Sequence, residues 1–222
     1  MKSSLTNPEV TDLLENLYAD AFANDRTIDR AAQEAVPANA PEIEYYKAAR
    51  RRYMPVSPAF GRMLYSLART ANARTIVEFG TSFGLSTIHL AAAIRDNGAG
   101  KVITTEFIPE KTEQAKKNLT VAGLVDCVEF RVGDAIAQLQ ANLPAEIDLV
   151  FLDGAKGLYL DVLKVLEPRL RRGAIVASDN TDHDGMEAFL HHVQTPGNGY
   201  VSSAILTESH GGTRGHEVSI RL

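Results

Sequence analysis

The chain has 222 residues, 45% of them hydrophobic and 23% charged, and its 28 acidic against 23 basic side chains give a net charge of −5. At about 150 residues per domain this is one domain with room for a small extension, and the acidic balance gives no general pull toward nucleic acid or anionic lipid. The single cysteine, Cys127, excludes an intramolecular disulfide framework and a CxxC zinc site; no apolar run reaches the ~18 residues of a membrane span and the N-terminus lacks a signal peptide's apolar core, so a soluble, cytoplasmic protein is expected.

Residues 1–70 carry no strand pattern. Helices are expected over residues 7–24, 28–35 and 41–52, with Val10, Leu13, Leu14, Leu17 and Tyr18 at helical spacing. This segment reads as a helical cap over the rest of the chain, or as an oligomer contact. From residue 75 onward, short β-rich runs alternate with helical stretches. The strands are 75–79 (TIVEF), 102–105 (VITT), 128–132 (VEFRV), 147–152 (IDLVFL) and 174–177 (AIVA). Between them, helices are expected over 85–95, 109–122, 135–140 and 158–170; Pro109 suits a first helical turn, and Gly123 and Gly173 mark helix ends. Repeated strand–helix units imply right-handed crossovers and a mostly parallel sheet. A last helix over 185–193 precedes two strands, 200–206 and 216–220, joined by a long loop over 209–215 and pairing antiparallel.

In an open parallel sheet, ligands bind beyond the C-terminal ends of the strands. All five strand ends here carry polar or charged residues. The first ends in Glu78-Phe79-Gly80-Thr81-Ser82-Phe83-Gly84-Leu85-Ser86, the second in Glu106, and the third is followed by Gly133-Asp134-Ala135. The fourth ends in Asp153-Gly154-Ala155-Lys156 and the fifth in Ser178-Asp179-Asn180. The first loop lacks the GxGxxG dinucleotide fingerprint, because Ser82 stands where the middle glycine would make room for a pyrophosphate. Glu106 is placed to accept hydrogen bonds from both hydroxyls of a ribose. A ribose-binding acid without a phosphate cradle points to S-adenosylmethionine (SAM). Asp153 and Asp179, one strand–helix–strand unit apart, reach the same edge; with the Asn180 amide oxygen they form an all-oxygen set suited to Mg²⁺ or another hard cation such as Mn²⁺ or Ca²⁺. A cation beside Lys156 would favour the neutral amine that a general base requires. The bland alternative is that Asp179 and Asn180 cap the next helix while Lys156 is a solvated surface lysine.

With these residues in place, the stretches VEFGTSFGLST, VFLDGAKGLY and IVASDN resemble the metal-dependent class I O-methyltransferases of the catechol and caffeoyl-CoA type, from Met54 to Leu222. The resemblance implies a Rossmann-like α/β fold with seven strands in the order 3-2-1-4-5-7-6, the last antiparallel. It implies a SAM-dependent methyltransferase domain over 53–222, preceded by a helical extension over 1–52, and a homodimer by analogy. Carried over residue by residue, it implies that Val56, Glu78, Gly80, Thr81, Ser86, Glu106, Asp134, Ala135 and Asp153 bind the cofactor. Asp153, Asp179 and Asn180 would ligate the metal, and Lys156 would take the proton from the reacting hydroxyl. The implied partner is a small phenolic or vicinal-diol molecule rather than nucleic acid. The polar run Thr181-Asp182-His183-Asp184 departs from the family's apolar continuation and argues against a large anionic thioester as substrate.

Two other enzyme readings are open from the sequence: an RNA O-methyltransferase acting on tRNA wobble bases, which the acidic balance disfavours, and an NAD-binding oxidoreductase, which the missing GxGxxG disfavours. A non-catalytic cofactor-binding module would not need the Asp153, Lys156, Asp179 and Asn180 set. His183 reads as an exposed loop histidine, Arg50 to Arg52 as a solvated helix end, Cys127 as core, and Tyr159 as either a substrate flank or a packing residue.

Overall fold

The computed structural model describes residues 3–209 and 212–222. The leading segment forms α1 (Pro8–Asn24), α2 (Arg30–Glu34), α3 (Glu42–Ala48) and α4 (Pro58–Thr70). The sheet region then runs β1 (Thr75–Phe79), α5 (Leu85–Asp96), β2 (Lys101–Glu106), α6 (Pro109–Val121), β3 (Val128–Val132), α7 (Ala135–Leu139), β4 (Ile147–Leu152) and α8 (Tyr159–Leu166). It closes with β5 (Leu170–Ser178), α9 (Glu187–Gln194), β6 (Tyr200–Ser209) and β7 (Gly212–Arg221). The order across the sheet is β3-β2-β1-β4-β5-β7-β6, with β7 antiparallel to both its neighbours and the other pairings parallel, as expected. Among the described residues, no helix is long and apolar enough to cross a membrane.

Successive strand residues point to opposite faces, and both faces are covered. Ile76, Val102, Leu149, Phe151 and Ile175 pack against side chains of α1, α4, α5 and α6. Val77, Phe79, Val150, Leu152 and Val176 pack against α7, α8 and α9. The first of these layers includes Val10, Leu14, Leu17 and Tyr18, so the leading helix shares a core with the sheet.

Three features differ from expectation. Helix α4 is additional; its start is nonetheless written in the sequence, where the Ser57 hydroxyl accepts the Phe60 amide (3.1 Å) and Pro58 opens the first turn. Helix α8 stops at Leu166, because Pro168 has no amide to donate and forces a short 3₁₀ turn. Gly173 therefore lies inside β5, at a register shift between Ile147 and Leu149 of the partner strand, rather than at a helix end. Of the long loop expected over 209–215, Ser209 and residues 212–215 are instead strand: Leu206, Thr207, Glu208 and Ser209 pair with Gly215, Arg214, Thr213 and Gly212. The β-branched Thr207 and Thr213 favour continuing the ladder, while His210 and Gly211, placed in that loop, lie outside the described residues.

The backbone pairing does not stop where the strands do. The Asp153 amide donates to the Phe79 carbonyl (2.8 Å), the Asp179 amide to Leu152 (2.9 Å), and the Gly80 and Thr81 amides to Thr105 (3.1 Å each). These added rungs bring the first loop and the Asp153 loop into direct contact. A β-carbon on Gly80 would lie 2.5 Å from the Asp153 carbonyl oxygen, and its φ of +103° is hostile to any L side chain. Gly80→Ala must therefore push the two loops apart. We expect it to cost about 2–4 kcal/mol of stability by urea unfolding, from backbone strain and overpacking together.

Candidate active site

The polar strand ends border a cleft of about 1250 Å³ beyond the C-terminal edge of the sheet. Its lining includes Val56, Gly80, Thr81, Ser86, Glu106, Asp134, Ala135, Asp153, Lys156, Asp179 and Asn180. Of the residues singled out from the sequence, Glu78 stands apart. It is fully buried beneath the first loop and accepts hydrogen bonds from the hydroxyls of Ser86, Thr87 and Thr104, all at 2.6 Å. Its role in this structure is to anchor the start of α5 and the neighbouring strand under the cleft floor.

Glu106 is held at both oxygens: Ser82 donates its amide to Oε2 and Ile108 to Oε1, each at 2.8 Å. A carboxylate has about four lone-pair directions, so this clamp leaves room for further donors from the cleft. Asp134 caps α7 by accepting the Ala137 amide at 2.9 Å, and Ala135 is buried at the wall behind it.

The second constellation lies at the ends of β4 and β5. Lys156 Nζ donates to Asp153 Oδ1 (3.3 Å) and to the Tyr159 hydroxyl (2.7 Å). That hydroxyl in turn donates to the Asp179 carbonyl (3.1 Å). Tyr159 is fully buried, which decides in favour of packing: it ties the lysine to the end of β5. The Asp179 carboxylate is 4% exposed and accepts the Asn180 amide through Oδ1 (2.9 Å). Burial first, and then the charge of Asp179, push the Asp153 carboxyl well above the usual carboxylate range; Lys156 only partly opposes them. Two acids thus share one small volume with Lys156, and the ring of His216 approaches Asp179 from behind at 2.6 Å. Among the described residues, no trio of His, Cys, Asp or Glu is close enough to hold a metal ion, so a cation here depends on the Asn180 amide oxygen or on oxygens from outside the protein.

The leading segment and α6 contribute residues that no motif announced. Asp25, after α1, accepts the Tyr53 and Met54 amides (2.8 and 2.7 Å) and so holds Met54 at φ 47°, just before the cleft-lining Val56. Glu42 accepts the Lys156 amide (3.1 Å), and the Tyr46 hydroxyl reaches Glu42 (3.2 Å) and the Gly154 carbonyl (3.5 Å). Lys111 is 3% exposed, lines the cleft and donates to Ser82 Oγ (3.2 Å). Each of these is an isolated polar residue on an otherwise ordinary helix or turn, and only the packing brings it to the cleft. His183 sits exposed at the cleft rim, Arg51 pairs with Asp29 (2.6 Å), Arg52 reaches Gln33 (2.6 Å), and Cys127 is buried.

A family model described as O-methyltransferase matches residues 41–193 of the chain. The chain is 36% identical over 133 residues to a catechol O-methyltransferase of Niastella koreensis, covering 59% of this chain and 59% of that protein, less than two thirds of the relative's length. It is 36% identical over 149 residues to a catechol O-methyltransferase of Mycobacterium tuberculosis, 67% of each. An O-methyltransferase from Streptomyces achromogenes involved in tomaymycin synthesis, solved in complex with SAM, matches with a TM-score of 0.67 and 29% identity over 76% of this chain and 82% of that one.

The floor of the cleft is also where pH should register. Burial outweighs the three hydroxyl donors and pushes the Glu78 carboxyl up to about 7. Between its ordinary value and 7, the folded chain holds a proton that the unfolded chain has released. Stability from this group is therefore full at low pH and falls as pH rises through that window. Urea midpoints measured from pH 5 to 8 should show that decline in the wild type relative to Glu78→Gln. The difference between the two proteins isolates Glu78 from groups such as His89, which burial holds down to about 4.

Proposed function

The chain belongs to the O-methyltransferase family, and from that premise we propose that it transfers a methyl group from SAM to a hydroxyl of a small catechol-like or other vicinal-oxygen substrate, with a divalent cation in attendance. The observation that carries this reading is the buried Asp179 carboxylate and the largely buried Asp153 carboxylate (side chain 12% exposed) beside Lys156 at adjacent strand ends. Two acids and an amide make an all-oxygen donor set with no soft ligand, which fits Mg²⁺. Asp153, Asp179 and Asn180 would hold the cation. Glu106 would accept the ribose hydroxyls of the cofactor, with Val56, Gly80, Thr81, Ser86, Asp134 and Ala135 around it. That the Streptomyces relative was solved with SAM supports the choice of cofactor.

When bound, SAM supplies an electrophilic methyl group, and the cation lowers the cost of negative charge on the substrate oxygen that accepts it. The rest falls to the chain. Lys156 Nζ, fixed by Tyr159 and Asp153, takes the proton from the reacting hydroxyl. The clamped Glu106 carboxylate and the rigid first loop hold the cofactor in one place, so that most of the contribution is orientation. Helix α3, fastened by Glu42 and Tyr46 to the loop that carries Lys156, caps the site and limits water. The leading 52 residues thus serve the domain over 53–222 as its cover. The exposed acidic side chains of Asp182 and Asp184 at one rim favour small, neutral or cationic substrates over anionic thioesters.

Lys156→Ala should lower kcat on a catechol probe by about 10²–10⁴-fold, the range for a general base, while SAM affinity by calorimetry stays unchanged; an unchanged rate removes the lysine as base. EDTA should abolish turnover and Mg²⁺ restore it. Full activity in EDTA would overturn the cation's part.

A further inference from the structure

His216 lies on β7, beyond the family-matched segment, and none of the proposed roles uses it. It occupies the inward row of the strand with Val218 and Ile220, which pack against the sheet's main core. A histidine there must be satisfied or pay for its burial. It is 1% exposed, and its ring stacks on Phe60 with centroids 3.7 Å apart and planes 12° from parallel. Nε2 lies 2.7 Å from the Thr207 hydroxyl, which is 3.2 Å from Ser57 Oγ. Nδ1 approaches Asp179 Oδ1 at 2.6 Å, out of line for a hydrogen bond, so it is a buried nitrogen facing a carboxylate without an aligned partner.

We infer that His216 is a positioning residue for the cation site: it fixes the Asp179 carboxylate so that its other oxygen faces the cleft. This rests on the proposed cation reading. The Nδ1 edge of the ring lies 2.6 Å from Asp179 Oδ1, and a hydrogen on that nitrogen would set positive charge beside a carboxylate that can only accept. The ring cannot turn away, because Phe60 covers its face and Thr207 engages the far nitrogen. Asp179 Oδ1 is thereby committed to His216 and to the Asn180 amide, while Oδ2 has no protein partner among the described residues. Outer partners of this kind orient ligating groups and contribute about 10–100-fold in metal affinity.

The test is Mn²⁺ binding to the full chain, followed by electron paramagnetic resonance without substrate, with SAM affinity measured in parallel. His216→Phe keeps the stack on Phe60 but removes both nitrogens, and should weaken Mn²⁺ binding about 10–100-fold with SAM affinity unchanged. His216→Asn places an amide N–H near the position of Nδ1 and should restore most of the affinity. Wild-type affinity in the phenylalanine variant, or no rescue by asparagine, overturns the inference while leaving the cation site standing. If the phenylalanine variant does not fold, Thr207→Val decides: a weakening of a few-fold supports the inference and wild-type affinity overturns it. A wild-type protein that binds no Mn²⁺ overturns the cation reading itself, and this inference with it.

Discussion

The hydrogen bond from the Asp153 amide to the Phe79 carbonyl is the contact on which the cleft depends. It extends the β1–β4 ladder one rung past the strands and sets the loop after β1 against the loop after β4. Gly80 makes the approach possible because it has no β-carbon to meet the Asp153 carbonyl. The next rung, from Asp179 to Leu152, adds the end of β5 in the same way. The cofactor half and the cation half of the proposed site are therefore one rigid body of backbone hydrogen bonds, not two loops that happen to meet. That rigidity suits a reaction in which the protein contributes mostly placement.

On this frame the sequence places acids where burial makes them costly. Glu78 accepts three hydroxyl donors, and burial raises its carboxyl to about 7 against their pull, so it can stay under the floor without a counter-ion. Asp153 and Asp179 have less relief: one lysine, one amide and the off-line approach of His216. Burying a charge without full compensation is expensive. Part of the chain's net charge of −5 is thus local to the cleft, where the proposed cation and sulfonium would offset it.

Much of the fold and of the site is legible in the residues alone. Strands 75–79 and 147–152 read from their apolar, β-rich runs because strands covered on both faces have little freedom to be anything else. That the polar strand ends gather around one cleft reads equally well, since parallel topology alone brings those ends to one edge. The hairpin is harder. Residues 212–215 look like a loop by composition, yet they pair with β6; the β propensity of Thr213 is too weak a signal to announce that pairing among the glycines and polar residues around it. Helix α4 is announced only by Ser57 and Pro58, a cap and a first turn that are easily read as an ordinary bend.

By itself, the sequence determined the sheet, its order through the family pattern, and the identity of the polar groups at its C-terminal edge, because these follow from periodicity and chain connectivity. Only the tertiary structure decided that Glu78 lies below the cleft rather than in it, that Asp25, Glu42, Tyr46 and Lys111 reach the cleft, and that His216 backs Asp179. The physical reason is distance along the chain. Glu42 meets the Lys156 amide across 114 residues and His216 meets Asp179 from an antiparallel strand, contacts set by packing rather than by any local rule.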